Sequence, residues 1–222
     1  VQVTSLNNEK DAKIIGAGKL TVSENMTNNG HIGSSNERLK HIVISGKTIN
    51  DGKIYAEEMS TAGLTNNGTI SVENILSSGT SDDTVVNTGE LTAGYFNLKG
   101  TFNNTNSVIS QSNNQGSNFD TVNNSGTIKA NHNLVAVNLS NNENGTINVV
   151  NNLTTQQLNN SGHIGSDTDR VNRLIVDNGV AQDASAINAG SIYVKNAEFR
   201  KNLQIDKGCL LYTSPSPRDR QK

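Results

Sequence analysis

The chain has 222 residues, 18 Lys+Arg against 20 Asp+Glu for a formal net charge of −2, 32% hydrophobic and 4% aromatic residues, and no Trp. No basic patch stands out, which argues against a nucleic-acid partner. The apolar content is too low for an ordinary globular core, so the chain is either disordered or a thin repetitive fold.

The composition changes abruptly at the far end. Residues 209–219 read CLLYTSPSPRD, the string that a transposon-type sequencing-library adapter resembles when it is read as a gene. The expectation is therefore a body, 1–208, followed by a non-native, disordered tail, 209–222. The only Cys (Cys209) and the only prolines (Pro215, Pro217) lie in that tail, with three basic residues and one acidic one, which leaves the body 15 Lys+Arg against 19 Asp+Glu. Without cysteine the body has no disulfide framework and no thiolate metal site. It opens on Val1 with no signal peptide and no transmembrane run. Both ends are expected to be cuts in a longer chain.

A short unit recurs along the body: apolar-x-Asn-x-Gly-x-Ile-x-small. Examples in chain order are LTNNGTISV from Leu64, VVNTGELTA from Val85 and INAGSIYV from Ile187. The central glycines are Gly18, Gly30, Gly52, Gly68, Gly89, Gly126, Gly145, Gly162 and Gly190, with Asn106 in the equivalent slot of one unit. Two residues later an aliphatic side chain always stands: Leu20, Ile32, Ile54, Ile70, Leu91, Val108, Ile128, Ile147, Ile164 and Ile192. A small or apolar residue follows two further on, and alternation of this kind describes a strand with one buried face. A third apolar position comes after a bend, at Met26, Met59, Ile75, Phe96, Leu134, Leu153 and Phe199.

No unit can bury its own face, but stacked units can, and a period near 20 residues signals a solenoid. No segment shows a sustained 3.6-residue period. The expected fold is an all-β, right-handed parallel β-helix of about ten coils, the hand following from the preferred crossover sense. Glycine before the buried strand is expected to supply positive φ for a tight bend. Two residues before it stands Asn in eight units: Asn28, Asn50, Asn66, Asn87, Asn104, Asn124, Asn160 and Asn188. Stacked in register, these amides can form a hydrogen-bonded ladder; the alternative is that Asn serves only as a turn former. A larger block is also duplicated. NNGHIGSSNERL, from Asn28, matches NSGHIGSDTDRV, from Asn160, so the loops 34–39 and 166–171 should leave the rod at matching faces.

The NxGxI units, for instance NNGTISV, NSGTIKA and NNGHIGS, resemble the passenger regions of autotransporters and filamentous-haemagglutinin-like proteins of Gram-negative bacteria. The resemblance implies export through an outer-membrane translocator and an extracellular, cell-surface place. Its implied partners are a host-cell or matrix surface, or neighbouring adhesins.

The residue types that carry chemistry are sparse. His31 and His163 are one position of the duplicated block and should point outward, and His41 and His132 have no partners by spacing. Asp167 with Asp169, and Asp82 with Asp83, are too few oxygens for calcium and read as solvated loops. Polysaccharide lyases and hydrolases also use β-helices, but they gather carboxylates with Lys or Arg on one face, and here the charges scatter. Thr follows the glycine only at Thr69, Thr127 and Thr146, a poor array for an ice-binding face. The reading is a structural stalk with no catalytic residue, cofactor or metal; the alternative is a fragment of a β-helical carbohydrate-active enzyme or of another repetitive surface-layer protein.

Overall fold

The computed structural model describes residues 1–177, 186–188, 190–200, 203–205 and 208–212. Among them there is no helix, and every strand pairing is parallel. Each coil stacks on the next in register, so the chain is a parallel β-solenoid with three inward faces, each contributing two buried columns.

The first face is the NxGxI strand. Its leading column runs Ile14, Ile32, Ile54, Ile70, Leu91, Val108, Ile128, Ile147, Ile164, Ile192 and Leu210. The second face begins with Leu20, Ile42, Met59, Leu76 and Phe96 and continues through Ser117, Leu134, Leu153 and Leu174. The third face carries Met26, Thr48, Leu64, Val85, Phe102, Val122, Leu139 and Leu158. It ends on asparagine in every coil from Asn8 to Asn188. Apolar side chains of one coil thus cover those of the next, as the low apolar content requires.

Four positions differ from the sequence reading, one of them Phe199, which ends its strand opposite Val176 while Ala197 takes the place in line with Leu134, Leu153 and Leu174. Leu20 is buried but stands in the second face, and the first-face slot of its coil belongs to Ile14, which follows Ala12 rather than a glycine. Ile75 is half-buried and points outward, while its neighbour Leu76 takes the inward position. Met26 belongs to the third face, two residues before Asn28. The slip at Ile75 comes from one extra residue in the turn before it, since a shift of one residue reverses inside and outside; Leu20 and Met26 stay inside and are misplaced by a face, not by a reversal.

The largest core side chains cluster together. Phe102 stacks on Phe119 with ring centroids 5.5 Å apart, and Phe96 sits 6.0 Å from Phe119 on the other side. Buried hydroxyls elsewhere in the core are satisfied locally. Thr48 Oγ1 and Thr61 Oγ1 are 2.9 Å apart, and Ser117 Oγ donates to Ser110 Oγ at 2.9 Å.

Cys209–Tyr212 form a strand on Ser191–Val194, with Leu210 opposite Ile192. The expected disorder therefore does not extend to this first part of the tail; the expectation for 213–222 falls outside the described residues.

Candidate functional site

The repeat glycines do a different job from the one expected. Among the described glycines positive φ occurs at Gly16, Gly33, Gly100 and Gly165, and none of these is a repeat glycine. What the repeat glycines need is room. A Cβ on Gly52 would lie 2.0 Å from the carbonyl oxygen of Gly30, and one on Gly68 2.1 Å from that of Gly52. Any side chain there would force adjacent turns apart.

Next to this stack of glycines runs the asparagine ladder. All eight predicted asparagines are buried, and their amides point inward, where each of Asn28, Asn50, Asn87, Asn104, Asn124 and Asn160 also donates to the carbonyl two residues on in its own bend. Nδ2 of Asn28 donates to Oδ1 of Asn50 at 2.7 Å, and the same bond recurs from Asn50 to Asn66, Asn66 to Asn87, Asn87 to Asn104 and Asn104 to Asn124. Two members were not legible as NxG. Asn8 and Asn141 stand four residues before Ala12 and Gly145, at turns two residues longer, yet both occupy the ladder. Asn141 links Asn124 to Asn160, and Asn160 donates to Asn188, giving nine consecutive links of 2.7–2.9 Å through ten coils. Every link has the same polarity, with the earlier coil donating.

The duplicated loops do leave the rod alike. Gly33 and Gly165 take φ +69 and +68, and in each loop the serine Oγ caps the N–H three residues on, Ser34 to Glu37 at 3.0 Å and Ser166 to Asp169 at 2.9 Å. Each loop returns through an arginine over a tyrosine of the following coil, Arg38 on Tyr55 and Arg170 on Tyr193. Arg38 also donates to the carbonyl of Ser71 at 2.6 Å, one coil further on, and Arg170 to that of Leu211 at 3.1 Å. The arginine is a strap across coils, a role a guanidinium fills with its planar fork.

The titratable residues do not converge. His31 is half-buried and His163 exposed, and both lie on the outer side of the first face. His41 Nδ1 faces Glu58 at 3.0 Å on the surface. The Nδ1 of His132 is buried without a partner, as is Oδ1 of Asn148. Asp83 caps the turn of its own loop through Thr80, and Asp167 pairs with Arg170 at 3.3 Å. Among the described residues no three His, Cys, Asp or Glu side chains gather as a metal-holding group. The densest charge is a surface network in which Glu198 meets Arg200 and Arg173, and Arg200 meets Asp177. Hydrogen bonds from Arg200 and then Arg173 hold the Glu198 carboxyl below its ordinary value, and Glu198 in turn raises Arg200. The network lies at the surface, with Glu198 half-buried, and bridges adjacent strands, as surface ion pairs do.

A surface groove lies under the second loop, between Lys129, Asn148, Val150, Asp169 and Lys195. It is open and of mixed charge. No family model, no curated protein and no solved structure matches the chain.

Proposed function

We propose that the chain is a stalk segment of a secreted or surface-anchored bacterial adhesin, a spacer that carries no catalytic activity of its own. The observation that supports this most is the ladder. Ten coils share one inward amide column with nine unbroken links, and the residues of each inward face serve stacking. At about 4.8 Å per coil, the ladder spans on the order of 45 Å, a rod whose length scales with repeat number. The scattered surface charge and the absence of convergent acid, base and nucleophile among the described residues fit a spacer better than an enzyme. Its partners on this reading are a host-cell or matrix surface, or neighbouring adhesins, with an outer-membrane translocator serving export of the full-length protein.

A register-preserving deletion tests it. Removing 125–141 joins Asn124 to Asn142, so that Asn124 takes the ladder place of Asn141. In the surface-displayed full-length protein, a stalk keeps its display and its adhesion and loses about 5 Å of reach per coil removed. Loss of adhesion in a variant that still folds would refute the spacer role and place the ligand within the excised coil.

A further inference from the structure

The chain contains four Asn-Gly steps, Asn29–Gly30, Asn67–Gly68, Asn144–Gly145 and Asn178–Gly179, the last of which lies outside the described residues. Asparagine is a thermolabile residue, and a following glycine offers the least hindered backbone nitrogen for ring closure on its side chain. The first three lie in very different surroundings.

Asn67 is locked at both ends of its amide. Its Nδ2 donates to Asp51 Oδ1 at 2.7 Å, and its Oδ1 accepts from Thr88 Oγ1 at 2.7 Å. The Gly68 N–H donates to the Asn50 carbonyl at 3.0 Å. At Asn144 the amide is exposed, but the Gly145 N–H donates to the Asn142 carbonyl at 2.8 Å. Asn29 differs from both. The longer first turn puts Asn29 N on the Asn8 carbonyl and His31 N on the Ala12 carbonyl, both at 2.8 Å, and passes over the residue between. Among the described residues neither the Gly30 N–H nor the Asn29 side-chain amide has a hydrogen-bond partner. Repeat glycines elsewhere do: Gly52, Gly89, Gly162 and Gly190 all donate to the asparagine carbonyl of the preceding coil.

We propose that Asn29–Gly30 is a self-modification site, at which the folded chain converts one asparagine to aspartate or isoaspartate with water as the only co-reactant. The Gly30 nitrogen loses its proton and attacks Cγ of Asn29. The Cγ–Nδ2 bond breaks, and ammonia leaves with that proton. Water then opens the resulting succinimide at either carbonyl. The ladder asparagines are spared for two reasons. Each is followed by a residue that bears a side chain, and each Nδ2 is held by the next rung or, at Asn188, by the Cys209 carbonyl.

The product matters because of its place. The turn position after the ladder asparagine in the next coil is Asp51, and in the preceding coil it is Glu9. A carboxylate at position 29 adds a third negative charge to that column. The isoaspartate form also lengthens the backbone between Asn28 and His31, which weakens the pairing of the first coil with the second. This chemistry does not rest on the stalk reading, since a rod of any role would undergo it.

The test is incubation of the full chain in H2¹⁸O at mildly alkaline pH, followed by peptide mass mapping, with a urea-denatured sample as the reference. In the folded chain ¹⁸O should enter at position 29 at least about tenfold faster than at position 67, with position 144 between them, because protection follows local opening. In urea the three rates should converge. Asp51→Ala releases the Asn67 amide and should raise the rate at position 67 several-fold. Equal labelling of positions 29 and 67 in the folded chain, or suppression at position 29 as deep as at position 67 relative to urea, overturns the proposal. An unchanged rate at position 67 in Asp51→Ala overturns the argument from amide locking.

Discussion

Asn104→Ala tests whether the ladder holds the rod together. Asn104 lies mid-stack, fully buried. It accepts from Asn87 Nδ2 at 2.9 Å, and donates to Asn124 Oδ1 at 2.8 Å and to the Asn106 carbonyl at 2.9 Å. Truncation removes these three bonds and two longer ones, from Nδ2 to the Thr127 carbonyl at 3.4 Å and from Asn106 N to Oδ1 at 3.3 Å. The orphaned groups keep partial cover, because Asn87 Nδ2 still reaches the Gly89 carbonyl at 3.0 Å and Asn124 Oδ1 still accepts from Gly126 N at 3.3 Å. At about 1 kcal/mol net per bond, and more where a buried group is left bare, the loss is about 2–4 kcal/mol. The control is its neighbour Asn103, whose side chain points outward and accepts one half-buried bond from Asn123; Asn103→Ala should cost no more than about 1 kcal/mol. Asn104→Asp should be worse than Asn104→Ala above the ordinary carboxyl range, since a carboxylate can accept from Asn87 but cannot donate to Asn124. Burial raises the pKa of the introduced group above its unfolded value of about 3.9. Its penalty is therefore absent below that value and grows as pH rises through and beyond it. Urea denaturation with an unchanged slope reads these differences. If Asn104→Ala falls within about 0.5 kcal/mol of Asn103→Ala, the ladder does not stabilise the rod.

The first-face register predicts that Ile128→Asp, which puts an unpartnered carboxylate in a buried column, lowers the thermal midpoint far more than Thr127→Asp on the outer side; equal midpoints would show the register to be wrong. The glycine stack predicts opposite results at two glycines that share one motif. Gly68→Ala should cost on the order of 3 kcal/mol or more, because its Cβ meets a carbonyl at 2.1 Å. Gly18→Ala meets nothing within 4 Å and has no positive φ, so it should be neutral or stabilise by up to about 1 kcal/mol, read in the same denaturation series.

The fold class was legible because alternation at Ile54, Ile70, Leu91 and their equivalents survives in a chain this polar. Register was legible only where turn length stays constant. Asn8 and Asn141 escaped because their turns carry two more residues before the strand, and Leu20 was misplaced because Gly18 imitates the motif one face away from it. The role of the repeat glycines was also hidden. Positive φ and close approach both select glycine, and sequence alone does not separate them. The straps formed by Arg38 and Arg170 could have been suspected from the duplicated block, which keeps Arg and Tyr at matched places while the loop residues between drift from Ser35, Asn36 and Glu37 to Asp167, Thr168 and Asp169.

Why the ladder residue is asparagine follows from its neighbours. Close glycine stacking brings turn carbonyls to the edge of the core, and buried carbonyls need donors. Asn28 Nδ2 serves Gly30 O in its own turn and both Asn50 Oδ1 and Lys53 O in the next coil. A carboxylate could not donate, a hydroxyl could not reach two coils, and a leucine would leave the carbonyls bare. The single polarity of the links means that each coil completes its donors only when the following coil is in place. A coil is therefore both satisfied by its successor and ready to satisfy its predecessor, so repeats can be added without a new interaction being invented. That is the property a length-adjustable spacer requires.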